Sequence, residues 1–150
     1  MKVVIQRVSQ ASVTISQEIV ANIQLGLLVL VGIEEDDTFN DIQWLSNKII
    51  HLRIFADANE VMNLSIKEVN GDIIVVSQFT LHASTKKGNR PSYLKAAKPE
   101  FSIPMYENFV NELEIALGKK IQTGQFGADM KVSLLNDGPV TIIMDSKNKE

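Results

Sequence analysis

The chain has 150 residues, of which 45% are hydrophobic and 22% charged, and its formal net charge is −3. This length predicts one domain over residues 1–150 that buries roughly 70% of its unfolded-chain surface. The lack of cysteine excludes disulfides and sulfur-ligated metals, and the net charge argues against bulk electrostatic coating of nucleic acid. No apolar run approaches the ~20 residues of a membrane helix, and the N-terminus is too polar for a signal peptide. We therefore expect a cytoplasmic protein without membrane association.

Alternating and apolar segments predict that strands predominate in the fold. Such segments are 2–9, 11–16, 19–25, 25–33, 72–82, 131–135 and 140–144. The run 25–33 predicts a strand buried on both faces, and 72–82 is the clearest strand of the chain. Together with two helices, these segments predict an α+β domain in which a strand-rich body packs against the helices.

The two helices are predicted from the helical spacing of their apolar residues and from signals at their ends. Residues 34–37 are all acidic, and carboxylates favour a helix N-terminus, so a helix is expected to begin there. It ends near His51, which is interpreted as a helix-end residue rather than a catalyst. The second helix spans 99–117, with Pro104 expected in its first turn and Gly118 at its C-cap.

The common catalytic patterns are missing from the sequence. Phosphate-binding and dinucleotide-binding glycine motifs, the H-E-x-x-H pair and the G-x-S-x-G elbow do not occur. Two histidines without cysteine are too few to anchor a zinc site. We therefore expect an activity that needs no metal and no cofactor.

The end of the strand 72–82 is the best candidate for chemistry. Alternation would place Gln78, Thr80 and His82 on one face, about 6.5–7 Å apart. These three polar side chains are explained equally well if the end of the strand is simply exposed to solvent. A catalytic version makes Thr80 a nucleophile activated by His82, but the spacing exceeds a hydrogen bond, and no carboxylate is evident to orient the imidazole.

Five segments carry a resemblance to a known family. They are MKVVIQRV (1–8), SQFTL (77–81), TKKGNRPSY (85–93), GQFGADM (124–130) and NDGPVT (136–141). In order and nearly end to end, they resemble the signature of the D-aminoacyl-tRNA deacylases. The resemblance implies a β-barrel-like domain that forms a homodimer.

The resemblance also implies an activity. It is the hydrolysis of the ester between a D-amino acid and the terminal ribose of tRNA, a proofreading step in translation. Ser77, Gln78, Phe79 and Thr80 are implied as the catalytic segment. Backbone N–H groups around Phe79 and Thr80 would hold the carbonyl oxygen as charge develops, and the vicinal hydroxyl of the RNA would position the attacking water.

Chiral selection is implied to depend on Gly138 and Pro139. Sequence alone favours a trans bond in a turn, since only about 5–6% of X-Pro bonds are cis. The resemblance implies a cis peptide whose carbonyl oxygens enter the partner subunit's active site and leave no room for an L side chain. Glycine, which has no side chain to exclude, should also be removed from tRNA. Arg7 is either an exposed strand residue or the group that fixes these carbonyls.

Contacts with the RNA are expected in two further places. Phe126 and Met130 are explained equally as core residues or as an apolar seat for the terminal adenine. The basic run that contains Lys86, Lys87 and Arg90 is by itself typical of a solvated loop, and the resemblance makes it a tRNA contact. Two other functions stay open: a small threonine- or serine-dependent esterase, and a non-catalytic RNA-binding module.

Overall fold

The computed structural model describes residues 1–149. Its strands are β1 Lys2–Ile15, β2 Glu18–Ile23, β3 Gly26–Gly32, β4 Phe55–Ala56, β5 Met62–Leu64, β6 Asp72–Ser77, β7 Gln122–Thr123 and β8 Lys131–Asp145. Its helices are α1 Phe39–His51, the short 3₁₀ helix Phe79–His82 and α2 Pro99–Leu117. The helix α2 therefore has the predicted bounds, and α1 ends at the predicted residue.

One sheet forms the body of the protein. Its strand order is β2-β1-β3-β6-β7, and β8 pairs with β1. The first half of β1 pairs with β3 and the second half with β2, whereas β8 runs along both halves. The side chain of Gln122 in β7 accepts a hydrogen bond from the backbone N–H of Asn22 (2.6 Å) and donates to its carbonyl (2.8 Å). These bonds tie the two ends of the sheet together, so the sheet is barrel-like and nearly closed.

Two hydrophobic cores lie on the two faces of this sheet. The larger core packs the outer face against α1 and α2 and includes Val29 and Val75. The smaller core fills the inside of the curved sheet and includes Leu28 and Ile74. Strands β3 and β6 are therefore buried on both faces, as predicted for 25–33, because neighbouring residues of a strand point to opposite sides.

The acidic run 34–37 does not form the first turn of α1. The helix begins at Phe39, and Asp41 accepts hydrogen bonds from the backbone N–H (2.7 Å) and hydroxyl (2.8 Å) of Thr38. Burial works to raise the pKa of Asp41, but hydrogen bonds from Ser146, Thr38 and Lys147 outweigh it and hold the pKa well below its usual range. Three of the four acids, Glu34, Glu35 and Asp37, make tertiary contacts through their carboxylates instead. The buried Asp37, for example, accepts from the N-terminal ammonium of Met1.

Three further sequence expectations are corrected. The strand predicted over 72–82 ends at Ser77 and continues as the 3₁₀ helix. The two strands predicted over 131–135 and 140–144 are one strand, β8, both ends of which pair with β1. The register shifts between the two ends, and residues 137–140 of β8 have no partner in β1. Pro104 lies inside α2, beyond the first turn in which it was expected. Among the described residues, no helix is long and apolar enough to cross a membrane.

Candidate active site

A cavity of about 660 Å³ opens where the parallel strands β3 and β6 end side by side. It is lined by Val31, Ile33, Val76, Ser77, Gln78, Phe79, Tyr93, Ala96, Ala97, Lys98, Pro99, Ser102, Phe126, Gly127, Ala128, Asp129, Met130 and Val132. The volume lies within the ~300–1,000 Å³ typical of sites for small ligands. Five residues predicted as site residues thus lie around one cavity: Ser77, Gln78, Phe79, Phe126 and Met130.

The catalytic segment predicted from the sequence turns sharply at the cavity mouth. The N–H of Gln78 donates to the carbonyl of Val31 at 2.7 Å, and the chain then enters the 3₁₀ helix. The first N–H groups of such a turn have no acceptor within it. Among the described residues, none accepts a hydrogen bond from the N–H of Phe79 or Thr80. The turn therefore leaves two backbone donors without an acceptor, in a segment whose Phe79 lines the cavity.

The side chains of this segment do not form the expected row. The 3₁₀ turn brings Gln78 and Thr80 together, so that Gln78 Nε2 donates to Thr80 Oγ1 at 2.5 Å. Thr80 does not line the cavity. His82 is buried, and its Nδ1 lies 2.7 Å from Glu34 Oε1, although the approach lacks hydrogen-bond geometry. The expectation that no carboxylate neighbours His82 is therefore wrong, and the imidazole faces Glu34.

The segment 93–98 forms a wall of the cavity that sequence reasoning missed. The N–H of Ala97 donates to the carbonyl of Ile33 at 2.9 Å, and the N–H of Lys98 donates to Glu35 Oε1 at 2.9 Å. These two bonds fix the wall to the connection that leaves β3. The only sequence signal was the position of Tyr93 at the end of the basic motif 85–93.

Phe126 and Met130 belong both to the cavity and to the cores. Phe126 packs edge to face on Tyr106, with ring centroids 5.8 Å apart, and Tyr106 donates to the carbonyl of Val75 at 2.9 Å. Burial raises the pKa of Tyr106 above its usual range. Met130 packs against the inner core, and a Cβ on Gly124 would lie 2.3 Å from its sulfur. Because Gly124 has no side chain, Met130 has room to pack at this position.

Gly138, Pro139 and Arg7 lie away from the cavity of their own chain. The Gly138-Pro139 peptide is cis, and Gly138 has a φ of 121°. Arg7 Nε donates to the carbonyl of Asp137 at 3.2 Å and lies 3.3 Å from its carboxylate. Arg7 Nη1 donates to the carbonyl of Ile54 at 2.5 Å. The guanidinium thus orients the carbonyl that directly precedes Gly138.

The basic residues lie on an exposed loop next to the cavity wall. Paired backbone hydrogen bonds of 2.8 and 2.9 Å between Ser84 and Ser92 close this loop. Lys86, Lys87 and Arg90 are exposed, do not line the cavity, and form no ion pair with any described residue. Within residues 1–149, no group of three or more acidic or histidine side chains could hold a metal ion.

Fold and site define a small α+β protein of the barrel-like class, with a cavity bordered by backbone donors and a basic loop. The model of the D-Tyr-tRNA(Tyr) deacylase family matches residues 4–145. The chain belongs to this family.

Individual relatives agree with this assignment. The chain is 75% identical, over the full length of both chains, to a Flavobacterium psychrophilum protein named D-aminoacyl-tRNA deacylase. A solved structure named c-Myc DNA Unwinding Element Binding Protein is 38% identical, with a TM-score of 0.92 and coverage of 97% and 98% of the two chains. A second, "Structural Analysis of a probable eukaryotic D-amino acid tRNA deacylase", has a TM-score of 0.82, 17% identity and coverage of 95% and 97%, and shows the shared fold.

Proposed function

We propose that this protein hydrolyses the ester bond of D-aminoacyl-tRNA and releases the free D-amino acid and the tRNA. The observation that carries the proposal is the 3₁₀ turn at the cavity mouth, where the N–H groups of Phe79 and Thr80 have no acceptor among the described residues. Family membership supplies the substrate class. The proposal makes the protein a proofreading enzyme of translation that works in the cytoplasm.

The proposed chemistry uses backbone donors rather than a covalent intermediate. Water attacks the ester carbonyl, and the oxyanion that develops accepts from the N–H groups of Phe79 and Thr80. The vicinal ribose hydroxyl of the RNA orients the water. Ser77 and Gln78 shape the cavity, and the bond from Gln78 to Thr80 fixes the turn. A nucleophilic Thr80 is disfavoured because its hydroxyl faces Gln78 and His82 faces Glu34.

The partner subunit supplies the chiral filter in this proposal. Gly138 and Pro139 are exposed and do not line the cavity of their own chain, which fits a site completed by a second copy. Among the strands that the structure describes, β8 is an edge strand that pairs only with β1, and it exposes Leu135 (56%) and Ile143 (72%). An exposed apolar edge is a surface that a homodimer would cover.

Backbone carbonyls make a filter that depends on chirality rather than on side-chain identity. The carbonyls of Gly138 and Pro139 accept from the α-amino group of the substrate, and the space beside them is too small for an L side chain. Many different D side chains then project away from the filter. Glycyl-tRNA passes the same filter because it has no side chain to exclude.

The remaining predicted residues bind the RNA. Phe126 and Met130 provide the apolar seat for the terminal adenine, since both line the cavity and aromatic side chains stack well on bases. Lys86, Lys87 and Arg90 are exposed and form no ion pair with a described residue, so their charge is available to phosphates of the acceptor end.

A paired assay tests this function. D-Tyr-tRNA, L-Tyr-tRNA and Gly-tRNA are incubated with sub-stoichiometric enzyme and no added cofactor. Rapid loss of the D-tyrosyl and glycyl esters, with the L-tyrosyl ester lost only at its uncatalysed rate, is expected. Equal loss of the D- and L-esters would refute the filter, and survival of all three would refute the deacylase proposal.

A non-catalytic nucleic-acid-binding role is the second candidate. It is favoured by the relative of 38% identity whose name describes binding to a DNA unwinding element. This role predicts that the protein binds nucleic acid in a salt-dependent manner and does not hydrolyse aminoacyl-tRNA. Gly138→Ala separates the two functions, because it should damage deacylation and leave simple binding unchanged.

A further inference from the structure

Three large side chains are exposed at or beside the cavity: Phe79 and Tyr93 line it, and Leu94 directly follows Tyr93 in the chain. Phe79 is 56% exposed, Tyr93 40% and Leu94 95%. The rings of Phe79 and Tyr93 meet edge to face, with centroids 5.0 Å apart, and both also line the cavity. None of the three belongs to either hydrophobic core. Folding therefore does not explain them, and an exposed apolar cluster of this kind is typical of an interaction surface. We call these three residues the rim platform.

The charge around the rim platform indicates the chemistry of its partner. Five cations lie within residues 83–98, and this segment contains no acidic residue: Lys86, Lys87, Arg90, Lys95 and Lys98. None of the five forms an ion pair with a described residue. Exposed aromatic rings among unpaired cations match a single-stranded nucleic acid, whose bases stack while its phosphates meet the positive charges.

We propose that the rim platform binds the nucleotide that directly precedes the terminal adenosine of the tRNA acceptor end. The inference rests on the proposed function and extends it by one nucleotide. A cavity of about 660 Å³ accommodates a ligand of small-molecule size, so it takes the terminal aminoacyl-nucleoside alone. The strand must then leave across the rim, where the base of the preceding nucleotide stacks on the Phe79–Tyr93 pair and contacts Leu94.

Such a contact would add affinity without amino-acid preference. All tRNAs share the same single-stranded end, and aromatic stacking tolerates any base because each base has a π face. The chiral filter and the rim platform would therefore act on different parts of one substrate. The first decides which amino acid is removed, and the second ensures that the ester belongs to an RNA.

Truncated substrates isolate this contact. The D-tyrosyl esters of adenosine and of the dinucleotide CpA are compared, using kcat/KM for the wild type, Tyr93→Leu and Tyr93→Trp. The wild type should gain roughly 5- to 150-fold from adenosine to CpA, the range measured for one stacked base. Tyr93→Leu should lose most of this gain, and Tyr93→Trp should keep it, because Trp preserves an aromatic face.

A matched control checks that the effect depends on position. Phe39 is another exposed aromatic residue (47%), at the first position of α1. Phe39→Leu should leave kcat/KM for both esters, and therefore the gain from adenosine to CpA, unchanged. The inference is overturned if the wild type shows no gain from adenosine to CpA, or if Tyr93→Leu keeps the full gain. If the enzyme still hydrolyses the adenosine and CpA esters when either of these results is found, the proposed function stands. Failure to hydrolyse any D-tyrosyl ester, tRNA included, would overturn both.

Sedimentation of the same variants tests whether protein covers the platform instead. A second copy of the chain on this surface would make the oligomeric state of Tyr93→Leu differ from that of the wild type. If Tyr93→Leu keeps the oligomeric state of the wild type but loses the gain in kcat/KM from adenosine to CpA, the RNA contact is supported. A changed state would refute it, since the platform would then belong to an interface between subunits.

Discussion

Adding one methyl group at Gly138 should disturb the proposed filter more than any other small change. Gly138 has a φ of 121°, a region that costs other residues about 1–3 kcal/mol. A Cβ there would lie 2.8 Å from Arg7 Nη2 and 3.0 Å from Val140 Cγ2. The Arg7 side chain is only 12% exposed and is held by the carbonyls of Ile54 and Asp137. It can therefore move only by weakening hydrogen bonds, and Gly138→Ala should lower the free energy of unfolding by about 2–4 kcal/mol.

The assay compares Gly138→Ala with the same substitution at a second glycine, which also has a positive φ but has no close neighbours. Gly118 has a φ of 81°, and a Cβ there would meet nothing within 4 Å, so Gly118→Ala should cost about 1 kcal/mol and leave activity intact. Urea unfolding gives the stabilities, and D-Tyr-tRNA deacylation is measured where both variants are folded. Gly138→Ala should lose at least about tenfold in kcat/KM, the equivalent of 1.4 kcal/mol. Equal stability and activity of the two variants would refute the reasoning.

Three further predictions concern the supporting structure. Thr80→Ala should keep partial deacylase activity, and a complete loss would identify its hydroxyl as a nucleophile. Tyr106→Phe should lower the free energy of unfolding by about 1–2 kcal/mol, since the buried carbonyl of Val75 loses its donor; unchanged urea stability would contradict this. Because the pKa of Asp41 is lowered in the folded state, its contribution is present at neutral pH and lost below about pH 4. Asp41→Asn should flatten this acid dependence in urea titrations, and an unaltered dependence would refute the assignment.

The sequence predicts those parts of the fold that depend on local periodicity. The helix 99–117 was predicted from the spacing of its apolar residues and the signals at its ends, and the doubly buried strand over 25–33 from its apolar run; both are confirmed. The end of β6 was not predictable, because residues 79–82 have ordinary strand propensity. Long-range contacts decide it: the N–H of Gln78 bonds to Val31, and the buried ring of His82 packs against Gly32.

The candidate site was predicted unevenly for the same reason. Ser77 and Phe126 were named from the family resemblance, and the fold brings them to one cavity although 49 positions separate them. The wall around Tyr93 and Lys98 was missed, because it depends on hydrogen bonds to residues some sixty positions earlier in the chain. The contact of Arg7 with the carbonyl before Gly138 spans 130 positions, and no spacing rule reveals it.

Mixed dimers test the central claim, that each cavity is completed by Gly138 and Pro139 of its partner. Gly138→Ala damages the filter, and Ala96→Trp fills the cavity that Ala96 lines. The two variants are co-expressed with different C-terminal tags, since Met1 is buried, and the heterodimer is purified through both tags. Each heterodimer then holds one undamaged composite site, so its D-Tyr-tRNA deacylation should recover to about half that of the wild type. Activity no higher than that of the two parent variants would contradict a shared site and place the filter within a single chain.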